Sequence, residues 1–482
     1  MRASPSIGCA VLALVSIQAQ NTEAERAAIR PPLKPEAVQD NLEDRARAAL
    51  DRIQHPMTRR AVEEQRANLR KHLTESLGYR LLPWPPDLRA NVTGTIQRNG
   101  YHIDKVVFQS LPNVAVTAHL YVPDGLQAPA PAVLFSNGHS KEGKAGANAQ
   151  AFCINMARLG FIVLSTDPIG QGERSAESHH HLEALLVGLS QPGIAEYETQ
   201  CALEYLRLRK EVDAARIGMT GVDGGGFNTW ITAALDDRIV AAVPVDDTFD
   251  FFAQVHRMRA VDWNQAEDQC QLVPGILQYA NMQELVAMIA PREYANMQEL
   301  VAMIAPRALL MIAGPDTHDI FEYGQRVYAT FERADRIGQF ESDGGGYQKH
   351  GREAAYEFFL HVLMNRGRGL SKAEQQTNVV PFDSPELACL PKGYQAPAGP
   401  GIAETVRRLA NTAPSARSGL SVETLAGQPP ERGVPEMVVN SFPVQRENIG
   451  TEHGSPGHDS PAWAQSTSRR GRWCRHPFSN RR

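Results

Sequence analysis

Gly218-Met219-Thr220-Gly221-Val222-Asp223-Gly224-Gly225-Gly226-Phe227-Asn228-Thr229 is the stretch on which the fold of this chain turns. Residues 216–220, just before it, are mostly apolar, and an Asp213-Ala214-Ala215 turn precedes them. Residues 227–235, just after it, read as a helix. Strand, tight glycine turn and helix in succession make the layout of a nucleophile elbow, usually G-x-S-x-G. Small residues are needed there because the turn is strained and packs closely on neighbouring backbone. The frame is intact as Gly221-Val222-Asp223-Gly224-Gly225, but its tip is aspartate where serine is usual.

Strands and helices alternate on both sides of this turn. Residues 132–135, 161–164, 240–245 and 308–312 are apolar runs of strand length, and 149–159 and 197–208 read as helices. Ahead of them, 105–110 and 115–122 read as strands joined by a hairpin turn at Leu111-Pro112-Asn113. Antiparallel strands followed by β–α alternation predict an α/β fold, with a mostly parallel central sheet and helices on both faces. Active residues of such sheets sit on loops at the carboxyl ends of the strands. The main domain is expected over 91–370. Residues 21–90 read as an N-terminal helical extension, with helical runs at 41–53 and 57–77 closed by Leu81-Leu82-Pro83-Trp84-Pro85-Pro86. Residues 371–482 read as irregular to disordered, with a basic finish at Arg469-Arg470-Gly471-Arg472 and Arg481-Arg482.

The 482 residues are 42% hydrophobic and 21% charged, the composition of an ordinary globular protein. A net charge of -5 gives no reason to expect a nucleic-acid or membrane-surface partner. Arg2, the apolar run 7–17 and Ala19 have the layout of a signal peptide over 1–20, which predicts export to the periplasm or beyond. That run is too short to span a bilayer. The six cysteines include no C-x-x-C pair, so neither zinc nor any other metal or cofactor is expected. Cys153 and Cys201 read as buried apolar residues, and Cys270 with Cys389 is a conceivable disulfide in an exported protein. His179-His180-His181 could suggest a metal, but no carboxylate or further histidine completes a predictable site, and the triplet reads as a solvated loop. One segment, YANMQELVAMIAPR, occurs twice, at 279–292 and 294–307. Only the second copy leads directly into the strand at 308, so the first is expected to be extruded.

Five motifs follow in order: Asn137-Gly138-His139, Asp167-Pro168-Ile169-Gly170-Gln171-Gly172-Glu173-Arg174, the elbow, Ile304-Ala305-Pro306-Arg307 and Arg352-Glu353-Ala354-Ala355-Tyr356. Together they resemble the α/β-hydrolases of the acetyl xylan esterase type, over roughly residues 90–370. The resemblance implies an exported carbohydrate esterase with a serine, an acid and a histidine in that chain order. Its serine position holds Asp223, and its histidine position, counted back from Arg352, holds Gly345. It implies an oxyanion hole at His139 and Ser140 on one side and Gly224 on the other, two fixed backbone donors for a carbonyl oxygen gaining charge.

The remaining chemistry has several candidate carriers. Asp223 can cap the following helix, or serve as a carboxylate nucleophile at an alkyl carbon, as in haloalkane dehalogenases and epoxide hydrolases. His350 is the nearest histidine to the vacated position, and His318 is a second possible base. Asp316 and Asp319 are the candidate acids, and Asp246-Asp247 offers a further carboxylate. The Asp167 turn reads as structural. Three functions follow from these residues: an acyl-carbohydrate ester hydrolase with an altered triad, an aspartate-nucleophile hydrolase, or an inactive relative that binds a carbohydrate. The expected partner is a small-molecule or carbohydrate ester, with no nucleic acid and no membrane span.

Overall fold

A computed structural model describes residues 35–84, 86–252, 255, 269–289, 307–342, 346–367, 369–390 and 401–412. The leader at 1–20, residues 290–306 with all but the last residue of the second copy of the repeat, Gly345 and the end from 413 lie outside the described residues.

Two-residue links join the first strands, β1 (Asn91–Arg98), β2 (Tyr101–Leu111) and β3 (Val114–Pro123), so they can only pair antiparallel. Helical crossovers then make the following strands parallel: β4 (Ala130–Ser136), β5 (Ile162–Thr166), β6 (Val212–Val222), β7 (Ile239–Val245), β8 (Ala308–Ala313) and β9 (Ile337–Glu341). The order across the single sheet is β1-β2-β3-β5-β4-β6-β7-β8-β9, with β3 antiparallel to β5. Every residue of β7 and β8 is buried, which is why these strands read as unbroken apolar runs. The mostly parallel α/β sheet expected from the sequence is the sheet observed.

The described helices are α1 (Pro35–Leu50), α2 (Arg59–Leu77), α3 (Ala147–Leu159), α4 (Gln191–Leu208), α5 (Gly224–Leu235), α6 (Met282–Ile289), α7 (His318–Thr330), α8 (Lys349–Met364) and α9 (Gly401–Thr412). The buried residues of α3 and α8 build the core on one face of the sheet. Those of α2, α4, α5, α6 and α7 build it on the other. Helix α2 starts at a Thr58 cap whose side chain accepts the Ala61 N–H, and it ends at Gly78 with φ 72°. Its buried residues, Val62, Arg66, Leu69, Leu73 and Leu77, recur every three or four positions and form one stripe. Arg70 donates to Leu235 O at 2.6 Å and to Ala234 O at 3.1 Å, serving carbonyls that the end of α5 leaves without helical partners.

The repeat behaves differently from expectation. The first copy is not extruded: Met282, Leu285, Val286, Met288 and Ile289 of α6 are buried in the core. Its one buried acid, Glu284, meets His55 Nδ1 at 2.8 Å and the Asn281 N–H at 2.9 Å, so burial leaves it partnered. An amphipathic helix settles where its apolar face fits, and direct continuity with β8 does not decide which copy that is. The strap at 369–390, read as irregular, is laid along the domain by hydrogen bonds. Arg352 holds Glu374 at 2.7 Å, Asn155 accepts the Gln375 N–H at 2.9 Å, and Gln150 accepts the Val380 N–H at 3.0 Å.

Candidate active site at the elbow

The elbow is formed as the sequence demands. Asp223 follows β6 with φ 55° and ψ -131°, a conformation costly for a residue with a side chain. Its N–H donates to Val245 O at 3.1 Å, and its carbonyl accepts the Phe227 N–H at 3.0 Å, locking the turn between β7 and α5. A Cβ at Gly225 would lie 2.1 Å from Ser136 O, and one at Gly138 would lie 2.3 Å from Val222 O. The β4 loop and the elbow therefore meet backbone to backbone, which only glycine permits.

That approach places the β4 loop over the Asp223 side chain. The backbone N–H of His139 donates to Asp223 Oδ2 at 2.8 Å, and His139 Nδ1 donates to the same oxygen. Asp223 makes no side-chain cap of α5, so the capping role is not observed. Burial would raise the Asp223 pKa. The hydrogen bond and charge of His139, with the N–H groups of His139 and Gly224, outweigh that and hold it below the usual aspartate value. Of the backbone donors assigned to the oxyanion hole, the His139 N–H thus serves the Asp223 carboxylate. His139 supplies its own N–H; Ser140 instead folds its turn, its Oγ accepting the Glu142 N–H at 3.1 Å.

The other edge of the imidazole faces Cys270. His139 Nε2 lies 3.1 Å from Cys270 Sγ. The ring of His179 stands edge-on to that of His139, with centroids 5.2 Å apart, and its Nδ1 lies 2.7 Å from Ile169 O. Gly224 lies against this group, since a Cβ there would be 2.9 Å from His139 Cε1 and 3.4 Å from Cys270 Sγ. His139, His179, Gly224 and Cys270 line one pocket at the carboxyl ends of β4, β5 and β6, with Phe227 and Ile231 as apolar wall. Neither Cys270 nor the buried Cys389 is in a disulfide, and the Cys389 Sγ donates to Ala118 O at 3.3 Å. The disulfide between them is not formed, because one thiol faces the cleft and the other lies under the strap.

The remaining candidates lie elsewhere. The Asp223 side chain is held by His139, and none of them is bonded to it. His350 sits exposed on the first turn of α8, with Nδ1 3.4 Å from Glu353. His318 Nε2 lies 3.2 Å from Glu341. Asp316 and Asp319 are exposed on the turn after β8 and the start of α7, and Asp319 meets Gln283 at 3.5 Å. Asp246, at the end of β7, accepts the Gly346 N–H at 2.7 Å and so holds the loop that follows Gly345. Of the candidate residues, the fold brings together Asp223, His139 and Gly224.

The Abhydrolase family profile matches residues 36–343, well over half of the chain. The chain belongs to this family. YtaP of Bacillus subtilis, provisionally assigned as a hydrolase, is 30% identical over 242 residues, which span 47% of this chain and 78% of YtaP. Among solved structures, a Bacteroides fragilis protein provisionally assigned as an acetyl xylan esterase superposes with a TM-score of 0.51 at 20% identity, over 65% of this chain and 84% of its own. The methylesterase BT1017 superposes with a TM-score of 0.57 at 21% identity, over 81% of each chain. At these identities the two structures confirm the α/β-hydrolase fold.

Proposed function

We propose that this protein is an exported ester hydrolase of the acetyl xylan esterase type, acting on acyl groups carried by carbohydrates. The observation that carries the reading is the placement of His139 between the Asp223 carboxylate and the Cys270 thiol in the pocket beside the elbow. An ester hydrolase needs a group that handles protons at the reacting carbonyl, and a second group that fixes its tautomer. His139 supplies the first role in place of the family's histidine. Asp223 supplies the second, since accepting from Nδ1 leaves the Nε2 lone pair directed to the cleft. Family membership and the two esterase-fold neighbours support the same class.

Asp223 is then a positioning residue. A carboxylate nucleophile would have to leave the hydrogen bonds that already stabilise its charge, and its attack on an ester would give an anhydride. A direct test measures acetate release from acetylated xylan and hydrolysis of p-nitrophenyl acetate. Turnover is expected, and His139→Ala is expected to lower kcat/KM by about a hundredfold or more. Absence of turnover on both substrates, or an unaffected His139→Ala variant, would sink the proposal.

A further inference from the structure

We propose that His139, His179 and Cys270 form a binding site for a divalent cation of the zinc class. One ring nitrogen of each histidine and Cys270 Sγ all lie within 4.8 Å of one another. Tetrahedral zinc, with bonds of about 2.0 Å to nitrogen and 2.3 Å to sulfur, needs its donors about 3.5 Å apart. The 3.1 Å between His139 Nε2 and Cys270 Sγ is already near that separation. Binding would close the triangle's longest edge by little more than about 1 Å.

The surroundings of the donors are those a metal site requires. A ligating histidine normally donates its other ring N–H to a carboxylate or a carbonyl, which fixes the tautomer and raises the basicity of the ligating nitrogen. Both histidines have such a partner on Nδ1: Asp223 Oδ2 for His139 and Ile169 O for His179. Each is thereby set to ligate through Nε2. Two imidazoles and a thiolate favour zinc over magnesium or calcium, which prefer oxygen donors. The Cys270 thiolate and the Asp223 carboxylate balance the two positive charges. All three donors line the same pocket, so the remaining coordination position faces the space a substrate would enter.

This site rests on the ester-hydrolase reading for its use, but not for its existence, and it changes one role in it: a bound cation would take the His139 Nε2 lone pair, so His139 handles protons in the metal-free protein and serves as a ligand in the loaded one. With the His139 N–H engaged by Asp223, a cation in the pocket would polarise an ester carbonyl in its stead.

Cobalt(II), which reports its own ligands by absorption, is the probe. The full-length protein, stripped with a chelator and titrated with cobalt chloride, should take up one ion. It should show visible bands of tetrahedral intensity and a thiolate-to-cobalt band in the near ultraviolet. Cys270→Ser should abolish the thiolate band, and His179→Ala should weaken binding at least tenfold. Asp223→Ala, with every ligand intact, should weaken it by about 10–100-fold. Melting curves without metal check that each variant is folded. Absence of the thiolate band, or a band that survives in Cys270→Ser, overturns the site. Cobalt bands without ester turnover would keep the site and remove the esterase. Ester turnover that persists after chelation, with no cobalt bands, would do the reverse.

Discussion

Two aspartates flank strand β4 at the same end of the sheet, and one loop serves both. Asp167 follows β5, Asp223 follows β6, and the loop after β4 sends Lys144 to the first and His139 to the second. Asp167 is fully buried; its carboxylate takes the Lys144 ammonium, the Thr117 hydroxyl at 2.6 Å and the Lys144 N–H at 2.8 Å. Burial opposes its charge, but Lys144 and these donors prevail and hold its pKa down. The Asp223 side chain is 44% exposed, and its cation partner is an imidazole that can gain or lose a proton. The difference between a brace and a working group lies in the partner. A lysine sealed with its carboxylate is permanently charged and holds the loop, while a histidine at the cleft edge can exchange protons with what enters.

The comparison breaks most readily on the buried side. Lys144→Met leaves Asp167 without its cation and should cost about 3–5 kcal/mol in urea unfolding. If stability barely changes, the Asp167 cluster does not brace the loop. On the exposed side the ranking should reverse. His139→Ala is expected to keep its urea midpoint close to wild type while losing about a hundredfold in ester hydrolysis, or roughly 2.7 kcal/mol of transition-state stabilisation. A variant that unfolds instead would make His139 a second brace.

Acid should separate the two carboxylates less sharply. Both folded pKa values lie below the ordinary aspartate value. Their stabilisation is therefore present above about pH 4 and fades as pH falls below that toward the folded values. Urea unfolding at pH 7 and at pH 3 should show lower stability at pH 3. Asp167→Asn should flatten that slope more than Asp223→Asn, because solvent screens the exposed pair. The smallest effect is expected from His350→Ala. Its imidazole is exposed beside Glu353, so stability should shift by less than about 0.5 kcal/mol and activity not at all.

The sheet, the elbow and the structural Asp167 turn were legible because each rests on local pattern. Apolar run length, glycine placement and hairpin turns are read within a dozen residues. The site was half legible. The motifs point to Asp223, His139 and Gly224, but they place His139 in an oxyanion loop, and the structure makes it the partner of Asp223, 84 positions away. Cys270 and His179 were missed because nothing in spacing links them to a histidine 131 and 40 positions earlier. One signal was available: Asn137-Gly138-His139 and the elbow both follow strands of one parallel sheet, so their loops must converge at its carboxyl edge. The repeat is hard to read for a related reason: its two copies have identical faces, and the first packs α6 against α2, α5 and α7.

The strap at 369–390 has a consequence for where the domain can be cut. Glu173 grips Lys144 with one oxygen and also accepts the N–H groups of Cys389, at 2.9 Å, and Leu390, at 2.8 Å. His119 reaches Leu387 O at 2.7 Å beneath the same strap, and burial, reinforced by the Lys144 charge, pushes its pKa down to about 4. A chain truncated at residue 370 would uncover this imidazole and let its proton affinity climb back toward that of free histidine. His119 is thus a native gauge of whether the C-terminal segment is seated, readable by following its ring proton resonances through an acid titration.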